Sequence, residues 1–387
     1  MIILGIETSC DETAISVVEA EGNEKNPSFK VLGSAIHSQA DMHSLYGGVY
    51  PNLAKREHTK NLPAVLETAL EKAKMPARLA SESVAGGEIS KIDAIAVTVG
   101  PGLEPALWTG ITFAKELAEK WKKPLIPTNH MEGHLASVLM NSKNFIKLMP
   151  SDTVSKAHPF ETVHIKFPAL GLLISGGHTE LVLLKSWTEK EIIGETKDDA
   201  VGEAFDKVAR MLGLPYPGGP EISKLASEAR EQNFHLETKF PRPMIKSGDL
   251  NFSFSGLKTA VLYYLRKPHP APRKASDHLP LDQGKEYQKI AREFEDAVVE
   301  VLIEKTKTAI ALHNPHTLII GGGVISNNLI REKFEALVKE YPNMELKIPE
   351  KSLTTDNATM IAMAGYLSFI TKSAQPELRA QGNLKYL

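Results

Sequence analysis

The sequence predicts an α/β protein built as two similar lobes. Three observations lead there. Apolar strand patterns alternate with helical ones along most of the chain, as in folds with a largely parallel sheet. A strand, polar turn, strand unit opens the chain at residues 2–18 and returns at 169–184, each time followed by strand, loop, helix units. The chain has 387 residues, 42% hydrophobic and 24% charged, an ordinary globular composition at a length that suggests two lobes. The expected division is a first lobe at 1–135, an insertion and lobe connection at 136–168, and a second lobe at 169–387.

The opening residues, Met1 to Glu7, are apolar but lack a basic leader and reach an acid at once, so they read as a buried first strand, not a signal peptide. No apolar run is long enough to span a bilayer. A net charge of -2 gives no global basic signal, so any contact with nucleic acid must use a local patch or a partner. The single cysteine, Cys10, excludes an intrachain disulfide and fits a reducing cytosol. It reads as a small residue at a strand end.

Thr8 to Thr13 forms a polar turn carrying Asp11 and Glu12, a composition suited to phosphate or metal-water contact and equally to a plain hairpin. A Gly-rich loop with Gly47 and Gly48 then enters a helix that runs to about Lys74. Lys55, Arg56, His58 and Lys60 cluster at its start, as an RNA-facing or simply solvated helix face. Residues 81–90 read as a loop. Ile92 to Val99 is a buried strand that enters Gly100-Pro101-Gly102-Leu103 and a helix from Ala106, the general anion-binding arrangement.

Another strand, Pro124 to Pro127, leads into Thr128-Asn129-His130-Met131-Glu132-Gly133-His134. Histidines four apart on a helix share a face and offer two imidazoles to one divalent metal. Asn129 or Thr128 could cap this helix. The catalytic Glu of HExxH peptidases is missing, which points away from that kind of hydrolysis. A third ligand must come from elsewhere.

Beyond the insertion, Ala169 to Leu184 repeats the opening theme around Ser175-Gly176-Gly177-His178. Asp198 to Gly213 is a helix containing Asp206, and Tyr216 to Pro220 is a tight turn whose bare backbone would admit a ligand ring. Residues 267–284 read as a surface loop, followed by a long helix from about Glu286 to Leu312. Thr317 to Ile320 is a buried strand, and Gly321-Gly322-Gly323 leads through Asn327 into a helix, the strongest local ligand-binding signal. Asp356 stands at a helix start, either as its N-cap or as a carboxylate for the metal; one residue serves only one of these well.

These motifs occur in one order. Together with Arg56-Glu57-His58, Gly202-Glu203-Ala204-Phe205-Asp206-Lys207, Pro217-Gly218-Gly219-Pro220 and Phe252-Ser253-Phe254-Ser255-Gly256-Leu257-Lys258, they make the chain resemble the bacterial TsaD family along nearly its whole length. The resemblance implies a two-lobed actin-like fold of the sugar kinase and heat-shock ATPase kind, with duplicated mixed sheets flanked by helices. It implies transfer of a threonylcarbamoyl group from threonylcarbamoyl-adenylate to the exocyclic amine of the adenosine beside the anticodon, in tRNAs reading codons that begin with adenine. The family's metal ligands match His130, His134 and Asp356, which suit iron or zinc. Its adenylate-binding positions match Leu173, Ile174, Ser175, Gly176, Gly177, Asp206, Gly219 and Asn327, with Asp206 toward the ribose and Gly219 and Asn327 toward the adenine. Asp11 is the candidate for positioning the attacking amine or a metal-bound water. Expected partners are tRNA, a TsaB-like paralogue and a TsaE-like ATPase, in the cytoplasm and without a membrane.

The chain departs from the family pattern in places. Pro105 stands where many members have glycine, tolerable at a helix start. Ser223 stands where many have an acid near the ribose. A kinase on the same fold, a metallopeptidase and a non-catalytic scaffold are the competing classes. The protein-donated His, His, Asp set argues against the first, the missing base against the second, and retention of all three ligands against the third.

Overall fold

The computed structural model describes residues 1–75, 91–140, 163–266 and 281–386. The expected loop at 81–90 lies outside the described residues, as do 141–162 of the expected insertion at 141–168 and 267–280 of the expected loop at 267–284. The strands form two five-stranded mixed sheets. In the first, β1 (Ile2–Glu7), β2 (Glu12–Asn23) and β3 (Asn26–Ser38) run as an antiparallel meander. Strands β4 (Ala94–Gly100) and β5 (Leu125–Asn129) add in parallel on the other side of β1. The second sheet repeats this plan with β6 (Ala169–Ile174), β7 (Thr179–Leu184) and β8 (Lys190–Glu195) as the meander. Strands β9 (Thr317–Gly321) and β10 (Glu345–Lys347) supply its parallel half. The strand orders β3-β2-β1-β4-β5 and β8-β7-β6-β9-β10 are the same topology twice.

Helices cover the sheets. A one-turn helix α1 (Ala40–Ser44) precedes α2 (Pro51–Lys72), which buries Leu62, Val65, Leu66, Ala69 and Leu70 against β2 and β3. Beside it lies α3 (Glu104–Trp121), with Pro105 in its first turn as the sequence allows. The short α4 (His130–Ala136) follows β5. In the second lobe α5 (Val201–Met211), α6 (Gly218–Glu231), α7 (Ser255–Arg266) and α8 (Leu281–His313) surround a core rich in phenylalanine, where Phe205 and Phe294 meet edge to face at 5.1 Å. Next come α9 (Asn328–Val338) and α10 (Ala358–Thr371).

A third core joins the lobes. It draws Ile3, Ala94 and Ile126 from the first sheet, Leu173, Val182 and Ile319 from the second, and Met360 to Ala364 from α10. Every residue of α10 from Ala358 to Ser368 is buried. A helix apolar all round must lie inside, and α10 does, against β1, β2, β4, β5 and α4. The last helix, which the linear division assigns to 169–387, therefore packs on the first sheet. Gly5 permits this approach: a Cβ there would sit 2.2 Å from the Ala358 carbonyl oxygen.

The structure adds elements that the pattern did not reveal. Strand β3 is the longest, yet Gly33, Ser34 and Ala35 dilute its apolar signal. Those residues are small because α2 presses on them; a Cβ on Gly33 would lie 2.2 Å from Ala69 O. The expected tight turn through Pro220 is instead the first turn of α6, where proline's missing N–H is one that the helix leaves unpaired anyway. The long helix starts earlier than expected, at Leu281. Among the described residues, no helix is long and apolar enough to cross a membrane.

Candidate functional site

The site begins with a cap. The Asn129 side chain accepts hydrogen bonds from the Met131 and Glu132 N–H groups, at 2.8 and 3.4 Å, and so sets the start of α4. His130 and His134 then stand one turn apart, their rings edge to face with centroids 4.7 Å apart. Gly133 lets α10 lie close over them, since a Cβ there would be 3.0 Å from Met360 and Ile361.

Asp356 precedes α10 but does not cap it. Asn357 does, its Oδ1 accepting the Met360 N–H at 3.0 Å. That choice frees Asp356, whose Oδ1 lies 3.3 Å from Nε2 of both histidines. The three donor atoms lie within 4.8 Å of one another. His134 is fully buried, its Nε2 lies 3.3 Å from Asp356 Oδ1, and among the described residues no hydrogen-bond partner meets its Nδ1. A buried polar atom needs a partner. Two imidazole nitrogens and a carboxylate oxygen converging on one point fit a divalent cation.

Behind His130 lies a residue that the sequence reading used only to exclude a signal peptide. Glu7, buried at the end of β1, accepts hydrogen bonds through Oε2 from His130 Nδ1 at 3.0 Å and Thr98 Oγ1 at 2.6 Å. Its Oε1 accepts from the Ser9 N–H. Ser9 Oγ also reaches His130 Nδ1 at 3.2 Å. A proton on Nδ1 directed at Glu7 leaves the Nε2 lone pair free for a cation. The telling signal was an ionisable residue ending a strand otherwise buried and apolar.

Electrostatics here are strongly coupled. Burial resists charging His130, but the carboxylates of Asp356 and Glu7 overcome it and hold its imidazolium well above the ordinary range. Burial dominates at His134, whose pKa is lowered. Burial also opposes ionisation of Asp356 and Glu7, yet the charge of His130 beside them leaves both lowered. His178, in the turn after β6, is lowered to about 4 by burial and by the two facing histidines.

Asp11 is buried in the opening turn. Its neighbour Glu12 is raised well above the carboxylate range by burial first and then by Asp11 and Asp356, so three acids crowd this end of the site. Asp206 and Tyr216 of the second lobe line one depression with Ser44 and Gly47 of the first, and the charge of Asp11 adds to the upward shift of both.

The second lobe's expected residues divide by orientation. Leu173 and Ile174 are fully buried in β6 and offer no exposed surface to a ligand. Ser175 closes the following turn, its Oγ accepting the His178 N–H at 3.1 Å. A Cβ added to Gly176, Gly177, Gly219 or Gly323 would meet nothing within 4 Å, and none of the four has a positive φ. These glycines leave open space rather than relieve backbone strain. Asp206, raised chiefly by burial, accepts the Gly218 N–H at 2.7 Å and ties α5 to the start of α6. Asn327 caps α9 by accepting the Ile330 N–H at 3.0 Å, while its Nδ2 donates to Glu295 and Ser223 at 2.6 and 2.7 Å. Ser223 thus has a structural partner in Asn327.

Known proteins fit this picture. The family described as "TsaD: tRNA N6-adenosine threonylcarbamoyltransferase" matches residues 30–155 and 152–363. A protein of that name from Thermosipho africanus is 43% identical over 386 residues, covering 100% of both chains. Another, from Persephonella marina, is 41% identical over 372 residues, covering 95% of this chain and 90% of its own. One from Listeria monocytogenes serotype 4b is 42% identical, covering 95% and 92%. Among solved structures, T. kodakarensis HypF superimposes with a TM-score of 0.54 at 12% identity, over 96% of this chain and 48% of HypF. A full-length HypF in its phosphate- and nucleotide-bound form gives 0.51 at 12% identity, over 96% and 47%. That likeness concerns the fold alone, which is the two-lobed actin-like one with duplicated mixed sheets. By sequence, over its full length, the chain belongs to the TsaD family of tRNA N6-adenosine threonylcarbamoyltransferases.

Proposed function

We propose that this protein transfers a threonylcarbamoyl group from threonylcarbamoyl-adenylate to N6 of the adenosine beside the anticodon, in tRNAs reading codons that begin with adenine. The observation that carries the reading is the convergence of His130, His134 and Asp356, with His134 fully buried, in a chain of this family. These three residues would hold one iron or zinc ion, with Glu7 orienting the His130 imidazole. When bound, the cation supplies Lewis-acid stabilisation of negative charge on the donor's carbamoyl or phosphate oxygens.

The chain's own residues do the rest. N–H groups of the Ser175 to Gly177 turn face the phosphate. Asp206 holds a ribose hydroxyl, and the open space at Gly219 takes the flat adenine, with Asn327 fixing the neighbouring helix start. Asp11 accepts a hydrogen bond from the attacking amine. The N6–carbon bond forms, the carbon–oxygen bond to phosphate breaks, and AMP leaves with the electron pair while the amine proton passes to solvent. A TsaB-like paralogue and a TsaE-like ATPase serve as partners, and the reaction takes place in the cytoplasm.

Nucleoside mass spectrometry of tRNA tests this reading, in cells depleted of their own synthase and supplied with wild type or His134→Ala. Threonylcarbamoyladenosine restored by wild type alone supports both transferase and metal site. Restoration by both variants keeps the transferase and removes the metal assignment. No product from either, with native partners supplied, moves the small-molecule kinase reading to the front.

A further inference from the structure

We infer that Leu45, Tyr46 and Tyr50 form a stacking platform for unpaired tRNA nucleotides at the rim of the cleft. The inference rests on the transferase reading above and places part of its RNA footprint.

Three large side chains stand exposed within six residues: Leu45 at 85%, Tyr46 at 63% and Tyr50 at 52%. The tyrosine rings already stack on each other, with centroids 5.8 Å apart and an interplanar angle of 25°. Exposure of this kind normally implies a mobile loop, but here a buried network fixes it. The Tyr50 N–H donates to Nδ1 of buried His43 at 3.3 Å, and His43 Nε2 donates to Gln39 Oε1 at 3.1 Å. Gln39 Nε2 donates in turn to His58 Nδ1 at 3.3 Å, and His58 Nε2 donates to the Cys10 carbonyl at 3.0 Å. Thr13 Oγ1 donates to the same Nδ1 at 2.7 Å. The links in which Nδ1 accepts require neutral imidazoles, the state that burial favours at both histidines. The exposed tyrosines are thereby tied to the turn that carries Asp11.

Their position is at the cleft. Ser44 and Gly47 line a depression together with Asp206, Arg210 and Tyr216. The Arg210 guanidinium lies so close that a Cβ on Gly47 would be 3.2 Å from its Nε. Just beyond Tyr50, Lys55, Arg56 and Lys60 are exposed on α2, the last two flanking the Glu57 carboxylate at 3.5 Å each. Asp41 is the exposed acid of this loop. His58 is buried and is not part of the basic face.

Aromatic faces beside guanidinium and ammonium groups bind single-stranded nucleic acid, the rings taking splayed bases and the cations taking phosphates. A protein-docking core would be depleted of lysine. The occupant proposed is therefore RNA, whose phosphates suit Lys55 and Arg210 beside the rings.

The test is fluorescence anisotropy of the full chain with an in vitro transcribed tRNA whose anticodon reads a codon beginning with adenine. Tyr46→Ala and Tyr50→Ala are each expected to weaken binding about 5- to 100-fold, with an unchanged salt slope. The Phe variants retain binding. Lys55→Ala weakens it and lowers the salt slope by about one. Wild-type affinity in both Ala variants overturns the platform, and loss of paralogue binding in those same variants would make the patch a protein surface. Nucleoside mass spectrometry separates the two ideas. Tyrosine-dependent tRNA binding without any product, partners present, sinks the transferase reading and leaves the platform. Product formation with tyrosine-independent binding does the reverse.

Discussion

Glu7 Oε2 accepts a hydrogen bond from His130 Nδ1 at 3.0 Å, deep inside the end of the first strand. The carboxylate settles which imidazole nitrogen would face a cation and raises the basicity of that nitrogen. Glu7→Gln preserves the shape and removes the charge. Metal affinity is expected to fall about 10- to 100-fold, measured by competition with a chromophoric chelator. Circular dichroism should show an unchanged fold. Unchanged affinity would mean that Glu7 does not orient the ligand.

Asp356 and Asn357 divide two jobs that the sequence left to one residue. Asn357 caps α10, and Asp356 faces the histidines. Asn357→Ala should cost about 1 kcal/mol of stability in denaturant titration. Asp356→Asn should abolish metal retention, read by elemental analysis after dialysis, and should destabilise the metal-free protein by removing a partner of the charged His130. Metal retained by Asp356→Asn would remove that carboxylate from the ligand set.

The fold was legible where one physical demand acted on a segment. Ile2–Glu7 and Thr317–Gly321 are inner strands buried on both faces, and their unbroken apolar runs say so. β3 was not legible, because the close approach of α2 demanded small residues where strand propensity wants branched ones. The start of α6 was hidden for a similar reason: Gly218 admits Ala209, and Gly-Gly-Pro reads locally as a break. At the site, helical spacing paired His130 with His134, but no local rule could bring Asp356 to them. That needed the chain to return through α10 to the first sheet.

Two sets of glycines make opposite predictions. Gly219→Ala adds a methyl into open space, so the melting temperature should hold, while the KM for threonylcarbamoyl-adenylate should rise about ten-fold or more, ~1.4 kcal/mol of binding. Gly5→Ala drives a methyl into the Ala358 carbonyl at 2.2 Å, and overpacking of this kind costs about 1–3 kcal/mol or more. Thermal melts and steady-state kinetics on both variants decide it. A destabilised Gly219→Ala with normal KM would assign that glycine to packing.

Glu180, on β7, gives the fold a pH dependence of definite sign. Burial first, then repulsion from Glu195, raises its carboxyl from the ordinary 4.5 to about 7, against the opposing pull of Lys385 and Tyr386. The folded state then holds a proton that the unfolded state releases between those two values. Its contribution is fully present below 4.5 and is lost as the pH rises through about 7. The whole swing is of order 3 kcal/mol. Glu180→Gln keeps the hydrogen-bonding shape and cannot ionise. The variant and wild type should therefore be close in stability near pH 4.5 and diverge upward, with the variant the more stable at pH 8. Urea titrations across that range measure the difference, and parallel curves would show that Glu180 is ionised without penalty in the folded protein.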